Sequence, residues 1–136
     1  MYEYEATLVK VIDGDTVDVN IDLGLETNRR IRVRLFGIDA PEMSTPDGKL
    51  AKLFVESWFD RNDGPVRLVT VKDKREKYGR YLAVFHDHND TQTLNDALVM
   101  DGLASEWDGQ GSHPAPKHLG DTALLPSGET EQGNGP

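Results

Sequence analysis

The sequence contains no cysteine. Disulfides, thiol nucleophiles and thiolate metal sites are therefore excluded, and the redox compartment stays open. A metal held here would be bound mainly by oxygen, with histidine as the nitrogen alternative. No run approaches the roughly 18 apolar residues of a membrane span. The opening Met1-Tyr2-Glu3-Tyr4-Glu5 is acidic and lacks an apolar region, so no signal peptide is visible. No internal repeat appears at a period of about 20–50 residues. Positive charge is short as well: 15 Lys and Arg stand against 24 Asp and Glu, a net charge of −9. That balance argues against a uniformly basic surface for polyanions.

What is present suits one soluble globular domain with one core. The chain has 136 residues, 37% of them hydrophobic and 29% charged. The charge is unevenly spread. Residues 29–80 carry 13 Lys and Arg against 8 Asp and Glu, while the other 84 residues carry 2 against 16. A basic middle therefore lies between acidic flanks. The ordinary reading of such a pattern is a solvated surface. The sharper one is a local anion-binding patch.

Tyr4 to Ile12 is rich in β-formers. In Asp15 to Leu23, Val17, Val19, Ile21 and Leu23 alternate with Thr16, Asp18, Asn20 and Asp22, the period of a half-buried strand. In Arg29 to Ile38, Ile31, Val33 and Leu35 alternate with Arg30, Arg32 and Arg34. The link at 24–28 is short enough for a hairpin centred near residue 26. Asp47 to Arg61 changes to a helical period, with Leu50, Leu53, Phe54 and Trp58, joined by Ala51 and Val55, expected on the buried stripe. Asn62-Asp63-Gly64-Pro65 ends that helix. Val66 to Lys72 and Arg80 to Phe85 read as two further strands. A second helix starts near Thr93, with Thr93 and Asp96 as a capping box and Gly102 as the residue that closes it. From Asp108 the chain is rich in Gly, Pro and polar residues and reads as a disordered tail. The expected fold is α+β, mainly β: a five-stranded OB-type barrel over residues 1–107 with two helices, then the tail 108–136. An antiparallel α+β sandwich is the competing architecture.

Two short acidic motifs stand out. Asp13-Gly14-Asp15-Thr16 opens the second strand, and Asp39-Ala40-Pro41-Glu42 follows the third. If those strands pair as a hairpin, Asp15 and Asp39 fall at the same end of the barrel. Carboxylates brought together repel unless a proton or cation lies between them. Oxygen ligands on loops suit Ca²⁺ better than Zn²⁺. The plainer reading makes both motifs ordinary turns, in which Asp is common. Pro41 holds Ala40 extended, which can aim the Ala40 carbonyl at a cation or merely end a strand. Arg34 and Arg80 each offer a planar fork that matches phosphate, although any one arginine is more often a surface residue. Glu42 can serve as a general base. Lys72, Lys74, Arg75 and Lys77 read as a solvated loop or as backbone-phosphate contacts. Tyr78 and Trp107 can stack on a base or pack on the barrel. His86, His88, His113 and His118 lack metal-site spacing and read as exposed.

Four blocks then carry a resemblance: Val11-Ile12-Asp13-Gly14-Asp15-Thr16, Arg32 to Glu42, Lys77-Tyr78-Gly79-Arg80-Tyr81-Leu82-Ala83, and Leu94 to Ala104. In order and spacing over roughly residues 4 to 107 they resemble the staphylococcal nuclease (thermonuclease) family. The resemblance implies an OB-fold barrel and Ca²⁺-dependent hydrolysis of DNA and RNA phosphodiesters. It implies Asp15, Asp39 and the Ala40 carbonyl as metal ligands, with Asp13 in the outer shell. It implies Glu42 as the catalytic glutamate, Arg34 and Arg80 as phosphate-binding catalytic arginines, and Tyr78 in the nucleotide pocket. Trp107 is the candidate substitute for aromatic residues that flank the substrate in the family. Asn95 is expected to make a structural hydrogen bond. The family's third helix has no counterpart here, and Ala40 stands where threonine is common. A monomer with a DNA or RNA substrate, no membrane partner and no assigned compartment is expected. The alternative is a binding module of the same fold without chemistry, and such a module should lack one of the five residues Asp15, Arg34, Asp39, Glu42 and Arg80.

Overall fold

The structure, a computed structural model, describes residues 2–75 and 80–107, and for 72–75 the backbone alone. Its elements are β1 (Tyr2–Asp13), β2 (Thr16–Asp22), β3 (Asn28–Leu35), β4 (Ile38–Asp39), α1 (Pro46–Arg61), β5 (Val66–Arg75), β6 (Tyr81–His86), α2 (Leu94–Met100) and β7 (Ser105–Glu106). Tyr78, Lys77, His113, His118 and the tail 108–136 lie outside the described residues, as do the side chains of Lys72, Lys74 and Arg75. Among the described residues no helix is long and apolar enough to cross a membrane.

β1, β2, β3, β6 and β5 close into a barrel in that order. β3 and β6 run parallel, and the other neighbours are antiparallel. This is the strand order of an OB-type barrel, and closure rules out the open sandwich. The β2–β3 hairpin runs in register from Thr16 opposite Arg34 to Asp22 opposite Asn28. Its turn takes Leu25 and Glu26 through positive φ, 54° and 62°, closed by Thr27 N–H donating to the Gly24 carbonyl at 2.9 Å. That mirror-image turn follows the right-handed twist of the strands it joins.

The alternating apolar residues point inward. Val17, Val19, Val33, Leu35, Leu68 and Phe85 are fully buried, and Ile21 nearly so. Leu23 lies past the end of β2 and is exposed. The polar face of β2 is not open to water throughout, because Thr16 and Asp18 are buried there as well.

α1 starts where Thr45 caps it, accepting the Gly48 N–H at 3.0 Å, with Pro46 opening the first turn. Its buried face is Gly48, Ala51, Val55, Trp58 and Phe59. This corrects the expected stripe: Leu50 is 45% and Leu53 59% exposed. Two close approaches set the rotation. Gly48 lies against the Glu42 backbone, where a Cβ would collide, and a Cβ on Gly14 would meet Ala51 Cβ at 2.6 Å. Trp58, Phe59 and Phe85 then stack edge to face, with centroids 5.0 and 5.3 Å apart.

α2 carries the expected cap, Thr93 Oγ1 accepting the Asp96 N–H at 3.0 Å. It closes at Gly102 (φ 74°), with Gly102 N–H to the Val99 carbonyl and Leu103 N–H to the Leu98 carbonyl. A second correction concerns the third strand. It stops at Leu35, not Ile38. Phe36 and Gly37 (φ 80°) turn the chain, and the separate β4 pairs with β7 in a small sheet.

Candidate active site

The turn Asp13-Gly14-Asp15 and the strand end Ile38-Asp39-Ala40 meet at one end of the barrel. Gly14 makes the meeting possible. A Cβ there would stand 2.8 Å from Ala40 Cβ, so only hydrogen lets the two segments close. The Asp13 carboxylate accepts the Asp15 N–H at 3.0 Å and fixes the turn. Asp15 Oδ2 in turn accepts the Ala40 N–H at 3.0 Å. One side chain thus ties β2 to the segment after β4.

Arg34 binds both sides of this junction. Its Nη2 donates to Asp15 Oδ2 at 3.3 Å, Asp39 Oδ1 at 3.0 Å and the Ile38 carbonyl at 3.2 Å. Arg34 shares a strand face with Arg30 and Arg32, yet its side chain is 7% exposed where theirs are 60% and 51%. Trp107 accounts for part of that cover. The Arg34 guanidinium lies 4.7 Å from the Trp107 ring centroid, and the Trp107 backbone N–H donates to the Gly37 carbonyl at 2.8 Å. Trp107 therefore packs on Arg34. A cation over an indole face is attracted by the ring quadrupole.

Arg80 reaches the cluster from the position just before β6. Its Nη1 donates to Thr16 Oγ1 at 3.2 Å, and Thr16 Oγ1 donates to Asp15 Oδ1 at 3.1 Å. Thr16 is fully buried and joins the two arginines through Asp15. The sequence places Thr16 in the motif beside Asp15 but assigns it no role of its own; its hydrogen bonds to Asp15 and Arg80 supply one. Glu42 sits apart in these contacts. Its side chain is exposed, while its carbonyl accepts from Thr45 N–H at 3.0 Å and Thr45 Oγ1 at 2.6 Å. The helix cap thereby fixes the backbone that carries Glu42. Asn95, buried, accepts the Phe85 N–H and donates to the Phe36 and Ala83 carbonyls at 2.9 and 3.1 Å. It holds the bend between Arg34 and Asp39, the structural bond expected of it. His86 pairs with Asp90 and His88 with the Pro65 carbonyl, both away from this cluster.

Negative charge is crowded here. Burial, and then the hydrogen bond and charge of Asp15, push the Asp13 carboxyl up to about 6. Asp15 and Asp39 share the buried Arg34 guanidinium, and Asp13 stands beside Asp15. Among the described residues no three His, Asp or Glu side chains already form a metal cage. What the site offers is a bridged carboxylate pair with oxygen donors only and an excess of negative charge. That donor chemistry fits a hard cation whose remaining positions water fills.

Comparison with known proteins gives concordant matches. A family model described as staphylococcal nuclease homologue matches residues 32–120. A thermonuclease of Staphylococcus intermedius is 36% identical over 107 residues, which is 74% of this chain and 58% of that protein. A micrococcal nuclease of Shigella flexneri is 30% identical over 110 residues, 75% of this chain and 58% of that protein. The SPbeta prophage-derived endonuclease YokF of Bacillus subtilis is 32% identical over 106 residues, 74% of this chain and 33% of that protein. The chain spans less than two-thirds of the length of each of these relatives.

Proposed function

Because the chain belongs to the family of staphylococcal nuclease homologues, we propose that it is a calcium-dependent nuclease hydrolysing phosphodiester bonds of DNA and RNA. The observation that carries the reading is the buried Asp15–Arg34–Asp39 bridge, with Arg80 joined to it through Thr16.

The carboxylates of Asp15 and Asp39 and the Ala40 carbonyl would hold the cation, and Asp13 would act on it through water. When bound, calcium supplies charge neutralisation and polarisation at the phosphoryl oxygens. Arg34 and Arg80 each present a guanidinium fork to the non-bridging oxygens, where charge builds in the transition state. Glu42 takes the proton of the attacking water. The water oxygen bonds to phosphorus as the opposite P–O ester bond breaks, and the leaving oxygen takes a proton from solvent water and departs as the alcohol. Trp107 holds the Arg34 plane in place, and Tyr78 contacts the nucleotide.

Single-stranded and duplex DNA are incubated with the protein in calcium, in EDTA, and as the Glu42→Gln variant in calcium. Cleavage is expected only from the natural chain in calcium, and the variant should lose roughly 10²–10⁴-fold, the usual contribution of a general base. Equal cleavage in EDTA would refute the metal assignment. A folded chain that binds DNA in calcium and never cuts it would establish the binding module instead.

A further inference from the structure

Arg30 and Arg32 take no part in the bridge just described, yet they continue its line. Alternate residues of a strand share a face, and each step covers about 6.5–7 Å. Three arginines therefore descend β3, from buried Arg34 to exposed Arg32 and Arg30. Directly across on β2 stand Thr16, Asp18 and Asn20.

Asp18 organises the lower two. It is 4% exposed. Its Oδ1 accepts from Arg32 Nε at 2.7 Å, and its Oδ2 accepts from Arg32 Nη2 at 3.1 Å and Arg30 Nη2 at 3.2 Å. A guanidinium has five donors. Asp18 takes two from Arg32 and one from Arg30, and more than half of each arginine side chain remains exposed. An ordinary surface pair is neutral, whereas here one acid fixes two cations. Lys10, opposite Asp18 in the β1–β2 register, adds a further positive charge. The stripe stops just below Arg30, where Asp22 and Glu5 face each other. In a chain of net charge −9 this is a bounded basic track that leads to the buried bridge.

We infer that the outer face of β2 and β3 is a second anion subsite, which carries the backbone of a single-stranded nucleic acid away from Arg34 with one phosphate against Arg32 and one against Arg30. The direction assigned to the strand rests on the nuclease reading. A single strand is favoured because the track is one strand wide and ends in a buried site. Two phosphates are its limit, because Asp22 and Glu5 repel a third.

The test reads binding, not turnover. The full chain carrying Glu42→Gln is titrated by fluorescence anisotropy with labelled oligothymidylates over a range of salt. The oligomers are lengthened two nucleotides at a time from the dinucleotide. The first lengthening should strengthen binding and steepen the salt dependence by about 1.4, at about 0.7 per phosphate. Further lengthening should steepen it no more. Adding Arg30→Gln and Arg32→Gln should abolish the gain. Those changes leave buried Asp18 unpartnered, so Asp18→Asn is combined with them in a third protein, and all three are checked by thermal melting. The subsite is refuted if the first lengthening leaves the salt dependence unchanged, if the dependence keeps steepening with each further pair of nucleotides, if no oligomer binds, or if the variants keep the gain and only melt earlier. The nuclease reading fails separately, if the chain with Glu42 intact leaves the same oligomers uncut in calcium.

Discussion

Replacing Arg34 by glutamine removes the guanidinium that bridges Asp15 and Asp39. The Arg34 side chain is 7% exposed and both carboxylates 12%, so water does little to screen the loss. Breaking a buried ion pair from one side costs about 3–5 kcal/mol. The lower end applies here. A single nitrogen serves three acceptors at 3.0–3.3 Å, none of them short, and glutamine keeps a donor. A loss of about 3 kcal/mol corresponds to a fall in melting temperature of roughly 12–24 °C for a domain of this size. Calcium should then act differently on the two proteins. Two carboxylates without their guanidinium attract a cation more strongly, and a ligand at 100 times its Kd stabilises by about 2.7 kcal/mol. Scanning calorimetry in EDTA and in calcium measures all four states. The Arg34→Gln variant should melt well below the natural chain in EDTA and recover more of the gap in calcium. A variant melting within a few degrees of the natural protein in EDTA, or an equal calcium shift in both, would refute the reasoning.

Trp107→Ala should release the Arg34 plane. The lost contact is worth about 0.5–2 kcal/mol, so kcat/KM should fall roughly 2–30-fold in steady-state kinetics. Trp107→Phe should restore part of that activity, and an alanine variant of natural activity would remove Trp107 from the site. Gly14→Ala forces a Cβ against both Ala40 and Ala51, two short side chains on fixed backbone, and should destabilise by about 1–3 kcal/mol in urea titrations. An unchanged urea midpoint would mean that the turn is not packed as described. Asp18 contributes through a carboxyl held below its ordinary value, first by the Arg32 hydrogen bond and then by Arg30. The folded value being lowered, this stability is present above about pH 4 and is lost as pH falls through the folded value. The melting gap between the natural chain and Asp18→Asn should therefore be open at neutral pH and close below pH 4. A gap of the same size in strong acid would show that the charge is not its source.

The part of the site that could be read from sequence is the part set by local periodicity. Alternation at Val17, Val19 and Ile21 and at Val33 and Leu35 specifies the hairpin, and the hairpin brings Asp15 and Asp39 to one end. The rotation of α1 could not be read that way. Leu50, Ala51, Leu53, Phe54, Val55, Trp58 and Phe59 ring most of the helix, and the choice among faces is made by the approach of Gly14 to Ala51 and Gly48 to Glu42. β4 and β7 have two residues each, too few for any period to show. The burial of Arg34 is a tertiary result too. Its neighbours Arg30 and Arg32 share its pattern and stay exposed, because Trp107, some seventy residues away, covers only the last of the three.

The parallel seam between β3 and β6 also bears on when the site comes into being. The β2–β3 hairpin pairs residues close in sequence and can form early, carrying Asp15 and Arg34 with it. Arg80 arrives only when Val33 pairs with Tyr81, a contact that closes a loop of nearly fifty residues. Trp107 comes later still along the chain. On a ribosome, the carboxylates and one arginine would be out in solution before the second arginine had been synthesised. Closing the barrel is thus the event that completes the site, and a chain that has folded only in part carries an incomplete one.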